Sequence, residues 1–249
     1  MSLVIAVYVP EGIVMASDSR QSITAEGKNP DGNEFKIETI NSDNVAKTFL
    51  LEKQKVGISN FGADLLGGTP MASHIKKFVQ EELSEGDDIT TIPKKLLRYF
   101  RESFSNADTG FHIVGYKKEG KTSTPYVYYC HIQKGELIRR NEGKMDNPIA
   151  YGATWSGQID VLQGILQPTL IAGPDGKQAS INKPPIIWDA MSLQDAIDFS
   201  IYAIRTTIDT IRFQARSKNV GGQVDVLVIT PDEARWIQKK DLKGENKLG

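Results

Sequence analysis

The chain of 249 residues carries a single cysteine, Cys130, and only three histidines, His74, His112 and His131. One thiol excludes an intrachain disulfide framework and fits a reducing compartment. The histidines stand far apart, none at a ligand spacing from another His or Cys, so no metal site is expected. A glycine-rich phosphate loop and a G-x-S-x-G elbow are both missing, and with them the nucleotide-binding and serine-hydrolase signatures they would announce. No apolar run approaches the ~20 residues that cross a bilayer, and the N-terminus lacks the basic region and cleavage site of a signal peptide. Charge is close to balanced, with 30 basic and 31 acidic residues and a net charge of -1. That balance gives no general attraction for nucleic acid or an anionic membrane. What remains is a cytoplasmic globular chain for which no cofactor, nucleic acid or membrane is expected.

What is present is arranged in blocks. LVIAVYV (3–9) and GIVMAS (12–17) are apolar, β-branched runs joined by Pro10-Glu11-Gly12, which is hairpin chemistry. The polar stretch from Ala25 to Asn44 reads as a long loop, and NVAKTFLLEKQKVGISNFG as a second hairpin with Glu52 to Lys55 at its tip. Two amphipathic helices follow, one ending near Leu83 after a break at Gly67-Gly68-Thr69-Pro70, the other starting near Pro93. FHIVGY, TPYVYYCHI and ELIRR are strands, and a short helix around Gly157 to Leu166 leads into a Pro- and Gly-containing segment over 167–190. Ser192, with Asp195 three residues on, predicts the N-cap of a last helix whose pattern stops at Gly221-Gly222. QVDVLVIT is the final strand, and residues 238–249 read as a disordered polar tail. Strand blocks separated by helix pairs, without βαβ alternation, predict an α+β fold: a four-layer αββα sandwich of two antiparallel sheets between helix layers. A single domain over residues 1–237 is the simplest reading.

Three residues could make a catalytic set. Asp18 ends an apolar strand, and a carboxylate there needs a cation or hydrogen-bond donors once buried. Lys47, flanked by Ala46 and Thr48-Phe49-Leu50, offers the cation. Ser2 supplies the third group. Initiator methionine is normally removed before a small residue, which would leave Ser2 with a hydroxyl and a free α-amine. An amine of pKa about 7.7–8 is poised near neutrality to take the proton of its own hydroxyl. Lys47 would push that amine toward its neutral form, and Asp18 would hold Lys47 charged. The alternative from position alone is a structural Asp18–Lys47 ion pair beside an ordinary second residue. Cys130 reads as a buried small hydrophobe.

These residues resemble a known family. EGIVMASDSRQS is similar to the D-G-V-V-x-A-A-D-S-R-x-T motif of proteasome β-type subunits, which are N-terminal-nucleophile hydrolases. AKTFLL resembles the segment around that family's lysine, SNFGAD its A-G-x-x-A-D segment, and GGQVDVLVIT its final G-G-x-x-D-V strand. The resemblance implies a peptidase whose nucleophile is Ser2, where the family usually has Thr, supported by Asp18 and Lys47. It implies an oxyanion donor at the backbone N–H of Asn60, substrate-backbone pairing at Ser22, and a pocket lined by Gln21, Ile58 and Gly62. It further implies a homo-oligomeric ring or related assembly acting on peptide or unfolded protein, with any ATPase partner unknown. The likeness departs at Asn60, where the family has Gly, and at Ser217 to Gly222, where D-x-x-S-G-G loses its Asp and Ser. Residues 25–44 and 167–190 look like insertions relative to ordinary subunits of that family. Two alternatives stand beside the peptidase: a catalytically silent ring or scaffold subunit, and an N-terminal-nucleophile amidase acting on small amides.

Overall fold

The computed structural model describes residues 2–172 and 178–240. The chain opens with β1 (Leu3–Val9) and β2 (Gly12–Ser17), then a ribbon of β3 (Gln21–Lys28) and β4 (Glu34–Ser42), then β5 (Thr48–Leu51) and β6 (Val56–Gly62). Two-residue strands β7 (Leu65–Leu66) and β8 (Thr69–Pro70) lead into α1 (Met71–Glu82) and α2 (Ile92–Phe104). Next come β9 (Thr109–Glu119), β10 (Thr122–His131), β11 (Glu136–Arg139), β12 (Glu142–Lys144), β13 (Asn147–Ile149) and β14 (Gly152–Gly157). The last third holds α3 (Asp160–Leu166), β15 (Thr169–Ala172), β16 (Gln178–Ile181), α4 (Leu193–Phe213), β17 (Asp225–Ile229) and β18 (Ala234–Gln238).

Two five-stranded antiparallel sheets form the middle of an αββα sandwich. One runs β14-β1-β2-β17-β18 and the other β11-β10-β9-β6-β5. Strand periodicity explains why β1 is apolar throughout: it is buried on both faces. Leu3, Ile5, Val7 and Val9 point outward to a cluster with Ala196, Ile197, Ala203, Ile204 and Ile211 of α4. Ala6 and Tyr8 point inward, meeting Ile13, Met15, Val114, Val127 and Leu227 between the sheets. On the far side, Met71, Ile75 and Phe78 of α1 and Ile92, Leu96 and Phe100 of α2 cover the second sheet. The sheets approach closely at Gly57, where an added Cβ would collide with the Met15 sulfur.

Four expectations change on contact with the structure. The polar 25–44 stretch is a regular hairpin, β3 pairing with β4 from Gln21↔Ser42 to Lys28↔Glu34. It has no continuous apolar signal because most of its residues are exposed. Within 167–190, β15 pairs with β16 around residues 173–177, which lie outside the described set. The N-cap at Ser192 forms, its Oγ accepting from Asp195 N at 3.1 Å, but α4 ends at Phe213, well before Gly221. Finally, β18 adds an edge strand beyond the expected last one, and at its end Gln238 Nε2 donates to Val224 O (2.7 Å) and Lys240 N to Asp225 Oδ1 (2.9 Å). The remainder of the expected tail, 241–249, lies outside the described residues.

Candidate active site

The β1–β2 hairpin register sets Val4 against Ser17 and so brings Asp18 beside Leu3, the residue after Ser2. Asp18 N donates to Leu3 O (3.2 Å), and Leu3 N returns a bond to Asp18 Oδ1 (2.9 Å). Lys47, arriving just before β5, places Nζ 2.8 Å from the same Oδ1 and 2.5 Å from the Arg20 carbonyl oxygen. The other carboxylate oxygen accepts from Arg20 N and Gly221 N, each at 3.1 Å. Both partners of the pair are fully buried. A buried carboxylate is tolerated only when its lone pairs are used, and four donors use them here. Arg20 frames this arrangement from outside. Its guanidinium holds Asp43 through bonds of 2.6 and 2.8 Å and reaches the Lys218 carbonyl at 2.9 Å. The Arg20 bond also lowers the Asp43 carboxyl below its ordinary range.

Ser2 is buried, and its Oγ has no hydrogen-bond partner among the described residues. Its carbonyl accepts from Gln158 N at 2.8 Å, which ties the start of β1 to the end of β14. Gly157 makes that approach possible: its φ is +100°, and a Cβ there would run into the Ser2 carbonyl. Met1 lies outside the described residues. Gly157→Ala is therefore expected to displace Ser2 and to cost about 1–3 kcal/mol of stability from the positive φ alone. Urea unfolding gives the cost, and an unchanged midpoint would contradict the close approach.

A layer of polar side chains, absent from the sequence reading, closes the space between the sheets beside Ser2. Ser17 and Ser156 flank Val4 on either side in the first sheet. In the second sheet Thr48, Ser59, His112 and Tyr129 stand in one row of adjacent partners. Thr48 Oγ1 donates to Ser17 Oγ (2.9 Å) and meets Ser59 Oγ (2.8 Å). His112 Nε2 lies 2.9 Å from Ser156 Oγ. Burial, with a smaller contribution from the Arg140 cation, pulls the pKa of His112 down to about 3 from 6.5. An unfolded His112 takes up a proton below pH 6.5 while the folded one stays neutral, so this group's contribution is present above pH 6.5 and is lost as pH falls toward about 3. His112→Phe should flatten that part of the stability–pH curve, measurable as urea midpoints at pH 7 and pH 5.

The other residues singled out by the sequence are less open than the resemblance implies. The backbone N–H of Asn60 donates to the Lys47 carbonyl at 2.9 Å, because β5 and β6 continue their ladder one step past Thr48↔Ser59. The resemblance implies this N–H as the oxyanion donor; in the structure it has an acceptor in the ladder. The Asn60 amide donates to Asp64 Oδ1 (2.8 Å), and burial raises the Asp64 carboxyl pKa. Ile58, which the resemblance implies for the pocket, is wholly buried in the cluster under α1 and α2. Gly62 has φ +91° and packs against the Asp108 carbonyl, a backbone reason for its identity. Gln21 is buried and accepts from Asn41 Nδ2 (2.7 Å), while Ser22 begins the exposed ribbon opposite Ile40. Ser217 Oγ turns to Glu38, Val220 is buried in the α4-side core, and Asn219 donates to Gln158 Oε1 at 3.0 Å. A groove lined by Phe49, Leu51, Ile75, Val79 and Trp236 runs along the β5 edge and does not include Ser2. Burial lifts the Cys130 thiol to about 12, out of the range of a nucleophile at neutral pH. Among the described residues no group of three or more His, Cys, Asp or Glu could hold a metal ion, and no helix is long and apolar enough to cross a membrane.

No protein-family model matches the chain, and no curated protein matches it. Solved structures do. A Gly-1 mutant of Anbu from Hyphomicrobium sp. strain MC1 is 15% identical with a TM-score of 0.57, over 99% of this chain and 89% of that one. Anbu from Yersinia bercovieri, described as an ancestral beta-subunit, is 14% identical with a TM-score of 0.58, over 96% of this chain and 88% of that one. Together with the two stacked sheets between helix layers, these likenesses show that the chain shares the αββα fold of the two Anbu structures.

Proposed function

We propose that the chain is a proteasome-like peptidase with Ser2 as its nucleophile, exposed by removal of Met1 and working in a homo-oligomeric assembly on peptide or unfolded protein. The observation that carries this reading is the buried Asp18–Lys47 pair, whose carboxylate also grips the backbone at Leu3, next to Ser2. With a free amine at Ser2, the hydroxyl proton passes to that amine as Oγ attacks the scissile carbonyl. The amine then protonates the leaving nitrogen, leaving an acyl ester on Ser2. Water, deprotonated by the same amine, cleaves the ester and releases the carboxylate product. Lys47 keeps the amine neutral and therefore basic. For Asn60 N–H to stabilise the oxyanion, it must release the Lys47 carbonyl or share its hydrogen with it.

That engaged N–H favours one competing reading, a silent scaffold subunit in which Asp18 and Lys47 serve stability alone. Intact-mass measurement followed by labelling separates the two. Loss of Met1, with an epoxyketone or β-lactone adduct mapped to Ser2, supports the peptidase. Retained Met1 or an acetylated Ser2 leaves Ser2 without a free amine and sinks the peptidase reading. Fluorogenic peptides set against small amides then decide the substrate class.

A further inference from the structure

Lys240 follows β18, and the mechanism above does not use it, yet its side chain is almost wholly buried, as is that of Asp225 at the start of β17. Lys240 Nζ bonds Asp225 Oδ2, and Lys240 N donates to Asp225 Oδ1 at 2.9 Å. Among the described residues, every donor to that carboxylate comes from Lys240. A buried carboxylate needs such donors, because a buried charge without partners is costly. Gln238 Nε2, donating to Val224 O, brings the end of β18 to the head of β17. The same ammonium reaches further. It donates to Ser19 Oγ at 2.9 Å, and Ser19 Oγ passes its own hydrogen to the Gln223 carbonyl at 2.6 Å.

Ser19 is wholly buried and directly follows Asp18. Its N–H donates to the Gly221 carbonyl (3.0 Å), and Gly221 N returns a bond to Asp18 Oδ2 (3.1 Å). Arg20 N completes the grip on that oxygen at 3.1 Å. The turn over 18–20 is thus held against 221–223 by a continuous chain of hydrogen bonds whose outer end is Lys240. Strand pairing brings the two halves together: Asp225 stands opposite Ser17, the residue before Asp18, in the β17–β2 register. We propose that Lys240 is a positioning residue for the Asp18–Lys47 pair, its ammonium fastening the turn that carries Asp18 to the loop that bonds it. The proposal rests on the peptidase reading. Its consequence is that Asp18 presents Oδ1 to Lys47 Nζ and to Leu3 N in one orientation, which fixes the cation relative to the start of β1.

The test uses the full chain with Met1 removal verified by mass. Lys240→Met keeps most of the side chain's length but not its charge, and should lower kcat roughly 10- to 100-fold with KM little changed, the scale expected when a reacting group is misplaced. It also strands the Asp225 carboxylate, so a second variant separates lost positioning from lost stability. Adding Asp225→Asn removes the stranded charge and should restore much of the lost urea midpoint, while kcat stays low because nothing fastens Ser19. Full kcat in Lys240→Met, or a kcat that recovers with the midpoint in the double variant, overturns the proposal. Amide hydrogen exchange of the double variant gives a readout independent of turnover, and it serves even if Lys240→Met alone does not fold. Faster exchange at Ser19, Arg20 and Gly221, with Ile5 and Val7 of β1 as slow as in the wild type, supports the fastening. Unchanged exchange at those three amides, or a rise shared equally by all five, overturns it. The two levels fail differently. An active wild type, a dead Ser2→Ala and a fully active Lys240→Met remove this proposal alone, whereas an inactive wild type or an active Ser2→Ala removes the peptidase reading with it.

Discussion

Lys47→Met is expected to remove about 3 kcal/mol of folding stability, the low end of the ~3–5 kcal/mol cost of stripping one partner from a buried ion pair. The low end applies because Asp18 would keep three backbone donors, from Leu3, Arg20 and Gly221. It would lose the Lys47 cation on Oδ1 and stand as a wholly buried carboxylate with no opposite charge bonded to it among the described residues. Against a typical total of ~5–15 kcal/mol, such a loss shifts the urea midpoint far outside error. Replacing both partners, as Lys47→Met with Asp18→Leu, should return part of the stability, since no uncompensated charge then remains. A loss below ~1 kcal/mol for Lys47→Met would mean that the pair behaves like a surface bridge. Activity should fall in every one of these variants, because the peptidase reading needs the cation as well as the fold. A silent subunit would show the stability effect with no activity to lose.

The sandwich was legible because its inner strands are buried on both faces, which writes them into the sequence as continuous apolar runs. LVIAVYV and GIVMAS are such runs. Exposed elements leave no comparable mark. The β3–β4 ribbon alternates charged and apolar residues over a stretch rich in Gly and Asn, and it reads as a loop until the register is seen. β18 follows Pro231 and Asp232, alternates only weakly, and goes unnoticed. In the site, Asp18 and Lys47 stand out because a charge inside an apolar run asks for a partner. Ser17, Thr48, Ser59 and Ser156 carry no such signal: small hydroxyls fit strands, turns and surfaces alike. Only the pairing of β14 with β1, and of β9 with β6, brings Ser156 and His112 together across the sheets. The same pairing shows that the Asn60 N–H is already engaged, which no motif could reveal.

Ser2→Ala is expected to reduce peptide turnover to the background level. Deleting the nucleophile of a serine protease costs up to ~10⁶ in kcat, and the residue that remains there comes from the oxyanion hole and binding. Here the oxyanion donor expected at Asn60 is engaged, so less should survive. The variant keeps the small second residue that favours Met1 removal, so it isolates the hydroxyl from the amine. Ser2→Thr, which keeps both the hydroxyl and the amine, should stay active if the buried start of β1 admits one more methyl group. Because nucleophile and support act as a unit, adding Lys47→Met to Ser2→Ala should cost no further activity, although it costs further stability. Single-turnover assays with the same peptide measure all three, with mass spectrometry confirming the state of the N-terminus in each. Turnover that persists in Ser2→Ala at the wild-type rate would place the chemistry elsewhere. Turnover absent from the wild type, with Met1 removed and the fold intact, would leave Asp18 and Lys47 as the buried clasp of a scaffold subunit.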